Sequence, residues 1–132
     1  MSISQPHLKK TILLVDDVDE SRILAKWFLS MFDYSVEGVS SAKEALARFD
    51  PTLHDLVLTD NTMPGMTGAE MSLEIKKKSP KTPIIMFSGN PPHDLLCVDV
   101  VIKKPHHLLT VKEAVDHFLG PTDTPSHLQC IE

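Results

Sequence analysis

At 132 residues, 42% apolar and 23% charged, the chain has the size and balance of a single globular domain, one able to bury about two-thirds of its unfolded surface. Thirteen basic residues against eighteen acidic ones give a net charge of −5, which argues against a direct nucleic-acid partner, because a phosphate backbone selects a basic face. No apolar run approaches membrane-spanning length, and the polar stretch Met1 to Lys10 lacks the apolar core of a signal peptide.

The two cysteines, Cys97 and Cys130, have no metal-site spacing and read as free thiols in a reducing compartment. A cytoplasmic protein is expected. Lys76, Lys77, Lys78 and Lys81 cluster where a helix is predicted to end, and read as a solvated terminus whose cations complement the dipole.

Strand and helix patterns alternate along the chain. After an N-terminal lead over 1–10, Thr11 to Val15 is an apolar strand that ends at Asp16-Asp17. Residues 19–32 are helical in pattern, with Leu24, Phe28 and Met31 or Phe32 on the inward face and Trp27 read as core. Ser35 to Val39 is a short strand. Ser41-Ala-Lys-Glu44 is a capping box that opens a helix carrying Ala45, Leu46 and Phe49 and stopped by Pro51. Leu56 to Leu58 is a buried strand leading to Asp60. A turn with Pro64 and Gly65 follows, then a second capping box, Thr67-Gly-Ala-Glu70.

Ile84 to Phe87 is a fourth strand, ending at Ser88-Gly89, and Val98 to Ile102 is a fifth, ending at Lys103-Lys104-Pro105. A third capping box, Thr110-Val-Lys-Glu113, is predicted to start the last helix, with Val111, Ala114, Val115 and Phe118 inward and Gly120-Pro121 as its stop. Residues 11–120 form the predicted domain, and 121–132 read as a flexible tail.

Five nearly continuous apolar strands separated by helices indicate an α/β fold with a doubly wound parallel sheet covered on both faces. The predicted strand order is 2-1-3-4-5, in which sites form at the carboxyl ends beside the switch point. Asp16 and Asp17, Asp60, Ser88 and Lys104 stand at four of those ends. Clustered carboxylates repel unless a cation joins them, and an all-oxygen set suits Mg²⁺ or Mn²⁺. With Lys104 and the Ser88 hydroxyl, such a site can neutralise and orient a phosphoryl group on Asp60. Alone, each piece has a plainer reading: Asp-Asp as a helix cap, Lys-Pro as a loop, Ser-Gly as a turn. Their agreement at four strand ends favours a site.

The segments Ile12-Leu-Leu-Val-Asp-Asp17, Asp60-Asn-Thr-Met-Pro-Gly-Met-Thr-Gly68, Ser88-Gly89 and Lys104-Pro105 resemble the receiver domain of two-component response regulators, over about Thr11 to Leu119. That resemblance implies a flavodoxin-like receiver fold and a module that is not a conventional turnover enzyme. It implies Asp60 as phosphoacceptor and Mg²⁺ held by Asp16, Asp17 (directly), Asp60 and the backbone carbonyl of Thr62. Lys104 would pair with the phosphoryl group, and Ser88 would be the switch hydroxyl. The implied partners are a sensor histidine kinase or a histidine phosphotransfer protein, docking partly on the first helix, and a downstream protein.

Two departures from the family pattern stand out. Val101 occupies the place of a frequent aromatic three residues before the lysine. The connection Gly89 to Cys97, with Pro91-Pro92, has room only for a shortened fourth helix. Two other readings compete. One is a receiver-like interaction domain that no longer cycles phosphate. The other is a haloacid-dehalogenase-like phosphatase, suggested by Asp17-Val-Asp19, which leaves the Asp60 loop unexplained. The pair His106-His107 lacks the i, i+4 spacing of a helical metal site.

Overall fold

The computed structural model describes residues 9–92 and 97–120. It contains β1 (Thr11–Val15), α1 (Asp19–Ser30), β2 (Ser35–Val39), α2 (Ala42–Arg48), β3 (Leu56–Thr59), α3 (Gly68–Lys78), β4 (Ile84–Ser88), β5 (Val100–Lys103) and α4 (Leu108–Leu119). The five strands form one parallel sheet in the order β2-β1-β3-β4-β5, as the alternating pattern predicts.

Successive strand residues point to opposite faces, so each central strand feeds two cores. Ile12, Leu14, Leu56, Leu58, Ile85 and Ile102 meet Ala25 and Leu29 of α1 and Val111 and Val115 of α4 on one face. Leu13, Val15, Val57 and Ile84 meet Ala42, Ala45, Met71 and Ile75 of α2 and α3 on the other. Each fully buried aliphatic side chain contributes about 1.5–3 kcal/mol, so this two-sided burial is what holds the strand ends in fixed relation.

Several local expectations need correction. On α1 the inward residues are Ala25, Leu29 and, just beyond the helix, Phe32, with Phe28 partly buried. Leu24 and Met31 face outward, and Trp27, expected in the core, is 61% exposed. From Ile23 to Phe32 the apolar residues extend well beyond one face, interrupted by Lys26 and Ser30, so the sequence period does not select which of them turn inward; contact with β1 and β2 does. α4 begins at Leu108 with His107 as its N-cap, and no side chain caps it. Thr110 therefore lies inside the helix, which the apolar contacts of Leu108 draw one turn earlier than the capping pattern predicts.

The α3 capping box is present in full. In α2, Ser41 accepts the Glu44 amide, but the Glu44 carboxylate reaches back to the Ser40 amide. β5 starts at Val100, two residues later than expected; Asp99, just before it, closes on the first residue of β4, donating its amide to the Ile84 carbonyl. Its carboxylate accepts the Ile84 amide and the Lys76 ammonium, each at 2.8 Å. Lys76 also donates to the Thr82 carbonyl at 2.7 Å, so it is a clamp between α3 and the start of β4 and not a solvated cation.

The predicted shortened helix between β4 and β5 falls on Gly89 to Cys97, of which 93–96 lie outside the described residues; the described part carries no helix. The predicted tail and Cys130 lie outside them as well, as does most of the N-terminal lead. Cys97 is a free thiol. No helix among the described residues is long and apolar enough to cross a membrane.

Candidate functional site

The sheet delivers Asp16, Asp17 and Asp60 to adjacent strand ends, since Val15 of β1 pairs with Thr59 of β3. One carboxylate oxygen from each lies within 4.8 Å of the others. Asp16 is buried; its Oδ1 accepts the Val18 amide at 2.9 Å and its Oδ2 faces Lys104 Nζ at 4.0 Å. Burial pushes the Asp16 carboxyl above its ordinary value, outweighing the Val18 amide and the Lys104 ammonium, with the Asp60 and Asp17 charges adding to the rise. Asp60 Oδ1 accepts the Asn61 amide at 2.6 Å, which leaves Oδ2 toward Lys104 Nζ at 3.5 Å.

One ammonium therefore stands against three carboxylates. The donor set is all oxygen, partly desolvated and short of positive charge, which fits a small hard divalent cation. Thr62 is exposed on the loop directly after Asp60 and Asn61. Ser88 is buried at the end of β4, where its hydroxyl accepts the Asn90 amide at 3.1 Å. His106 donates Nδ1–H to the Lys103 carbonyl, and neither it nor His107 belongs to a metal-ligating cluster among the described residues.

Two residues that sequence reasoning passed over hold this constellation. Asn61 is buried and ties the loop from Asp60 to α3 at both ends. Its carbonyl accepts the Gly68 amide, its Oδ1 accepts the Ala69 amide, and its Nδ2 donates to the Asn90 carbonyl. Gly68 allows the loop to close so tightly: a Cβ there would stand 2.0 Å from the Asp60 carbonyl oxygen. The available signal was, for Asn61, its place directly after an acidic strand end and, for Gly68, a glycine opening a helix behind the Thr67 cap, where helix propensity disfavours it. A third, Arg22, donates to the Asp16 carbonyl and to Asp19, bracing the start of α1.

Next to the carboxylates a cavity of about 180 Å³ opens between α1 and the loop before α4, lined by Leu24, Ala25, Phe87, Lys104, His106 and Leu108 among others. Above it, α1 turns Ile23, Leu24, Trp27 and Met31 outward, each more than half exposed.

A parallel sheet in this order, with an acidic trio and a lysine at its carboxyl edge, defines a receiver-type fold and site. Comparison with known proteins places it. Residues 12–106 match the family model of the response regulator receiver domain, and the chain belongs to that family. Among relatives, the autoinducer 1 sensor kinase/phosphatase LuxN of Vibrio harveyi is 32% identical over 115 residues, covering 83% of this chain and 13% of that protein. The aerobic respiration control sensor protein ArcB of Escherichia coli K12 is 35% identical over 82 residues, covering 60% and 10%. The chain thus spans only about a tenth of the length of these relatives. Among solved structures, the response regulator TrrA of Thermotoga maritima, in complex with Mg²⁺-BeF, is 33% identical with a TM-score of 0.77, covering 83% of this chain and 98% of that one.

Proposed function

We propose that this receiver domain accepts a phosphoryl group on Asp60 from a histidine kinase or a histidine phosphotransfer protein, and signals through altered protein contacts. The observation that carries the reading is the Asp60 carboxylate, held 3.5 Å from Lys104 Nζ and within one oxygen cluster with Asp16 and Asp17. An Asp60 oxygen attacks the phosphorus of the partner's phosphohistidine. The P–O bond forms as the P–N bond breaks, and the leaving imidazole keeps the electron pair and takes a proton from solvent. Water later attacks the acyl phosphate and releases inorganic phosphate, so the module is slowly self-resetting and not a turnover enzyme.

Asp16, Asp17, Asp60 and the Thr62 carbonyl are the ligands we assign to Mg²⁺ (or Mn²⁺), Asp17 directly; they would hold an ion that would supply charge neutralisation for the transferring phosphoryl group. Lys104 pairs with the phosphoryl oxygens. The Ser88 hydroxyl needs only a change of rotamer, away from the Asn90 amide, to reach them. The similar structure of TrrA is in complex with Mg²⁺-BeF, which supports Mg²⁺ as the ion. We assign the outward apolar residues of α1 to docking of the phosphodonor, a partner class that fits the sensor-kinase relatives. The cytoplasm is the compartment such a partner implies.

The phosphatase alternative needs Asp19 beside Asp17 in the site. Asp19 is instead 78% exposed and paired with Arg22 at 2.6 Å, outside the oxygen cluster. The test is intact mass after incubation with acetyl phosphate and Mg²⁺. One phosphoryl addition, labile to hydroxylamine and lost in Asp60→Asn, is expected. Multiple turnover of free phosphate esters that survives Asp60→Asn and disappears in Asp17→Asn would overturn the reading.

A further inference from the structure

Lys104 has more freedom than its task permits. Its side chain is 29% exposed, it lines an open cavity, and its contacts to Asp60 at 3.5 Å and Asp16 at 4.0 Å are loose for charge-assisted hydrogen bonds. Something else must set where the ammonium stands.

The sheet register points to that group. Phe87 of β4 pairs with Ile102 of β5, and the Lys104 amide donates to the Ser88 carbonyl, so pairing continues past the last residue of β5. Residue 104 lies two beyond Ile102 and shares its face, the face on which Phe87 stands. The Lys104 stem therefore emerges beside the Phe87 ring, and Nζ lies over that ring, 5.2 Å from its centroid. Phe87 is itself packed against the core formed by β1, β3, α1 and α4.

We propose that Phe87 is a positioning residue for Lys104, holding the ammonium by a cation–π contact at the place where it meets the phosphoryl group on Asp60. This rests on the reading of Asp60 as phosphoacceptor. The chemistry explains why a ring suits the task. A carboxylate or carbonyl beneath the ammonium would consume an N–H donor, and a further carboxylate would add charge to a site already rich in it. The face of a ring attracts the cation while taking none of its three donors. All three remain for Asp16, Asp60 and the phosphoryl oxygens. The attraction also opposes a swing of the side chain into the neighbouring cavity or into solvent.

Two substitutions separate this contact from simple packing. Phe87→Tyr keeps the ring, whereas Phe87→Met fills much of the same volume without one. In the metal-free, unphosphorylated protein, ring current should displace the Lys104 Cε protons upfield in wild type and in Phe87→Tyr, and Phe87→Met should return them to ordinary positions. With acetyl phosphate and Mg²⁺, Phe87→Met should slow Asp60 phosphorylation by about three- to tenfold, the range a cation–π contact of this kind implies. Phe87→Tyr should retain most of the rate.

The proposal is overturned if Phe87→Met leaves both the Lys104 shift and the rate unchanged, or if Tyr and Met slow the reaction equally. Amide spectra of both variants establish that they are folded. Should wild type itself gain no phosphoryl mass, the phosphoacceptor reading fails, while the Cε shift still decides whether Phe87 holds Lys104.

Discussion

Asp16 carries the electrostatic cost of the site. It is the most buried of the three carboxylates, and its pKa is raised chiefly by that burial. A raised value means that its contribution to folding is fully present below the unfolded pKa and is lost as pH rises through the folded one. At neutral pH and without metal, the folded protein therefore carries an unfavourable charge. Asp16→Asn keeps an oxygen for the Val18 amide and removes that charge. It should raise metal-free stability, seen as a higher denaturant midpoint, and weaken Mg²⁺ binding in a fluorescence titration. Asp17→Ala should weaken Mg²⁺ binding more than Asp16→Ala. Unchanged affinity in both would place the ion elsewhere.

The loop between β3 and α3 shows how an element is shaped to serve one residue. Asn61 fastens it, Met63 anchors it in the core, Gly65 turns it with φ +82°, and Gly68 lets it close against Asp60. Gly68→Ala would drive a methyl group into a backbone carbonyl that cannot rotate away. We expect a loss of about 3 kcal/mol, together with displaced Asp60 and Asn61 amide resonances. A destabilisation within about 0.5 kcal/mol would mean that the loop relaxes freely.

On β2, a different element is pinned by a buried histidine. The Asp50 amide donates to His54 Nδ1 at 3.1 Å, so the ring's proton sits on Nε2, facing Glu37 Oε1 at 2.8 Å. That bond, and the Arg48 guanidinium after it, hold the Glu37 carboxyl below its ordinary value. A depressed carboxyl stabilises fully above its unfolded pKa, and the benefit is lost as pH falls through the folded one. Glu37→Gln should cost about 1 kcal/mol at neutral pH and flatten the acid-side fall in melting temperature. An acid-side fall of unchanged steepness would show that the pair contributes nothing.

For the molecule as a whole, the described residues offer few parts through which the proposed phosphorylation could be transmitted. Val101 has no ring to swing inward, and the described part of the connection after β4 carries no helix. A ligand shifts a conformational equilibrium only by its differential affinity for two states. Activation should therefore be local, centred on the loops after β3 and β4, with partner contacts on α1 and the site rim. Amide shifts and sedimentation with and without beryllofluoride test this. Large shifts along residues 97–119, or a dimer appearing on activation and lost on mutating the β5–α4 face, would overturn it.

Strand order and the carboxyl-edge grouping of Asp16, Asp17, Asp60, Ser88 and Lys104 were legible in the sequence alone. Apolar runs of strand length mark the sheet, crossover connections restrict its topology, and the residue that ends each run must then stand at one edge. Side-chain choices made across elements were not legible. α1 carries apolar residues well beyond its buried stripe, so contact with the sheet and α4 turned Trp27 to solvent and Ala25 inward. Lys76 finds Asp99 and the Thr82 carbonyl only once α3 lies against β4 and β5. Asn61, Gly68 and Phe87 gain their meaning from partners 7 to 29 residues away in the chain. Local pattern encodes where a chain is buried or turns; which distant atom each side chain meets is decided by packing, register and the closeness of backbones in the folded molecule.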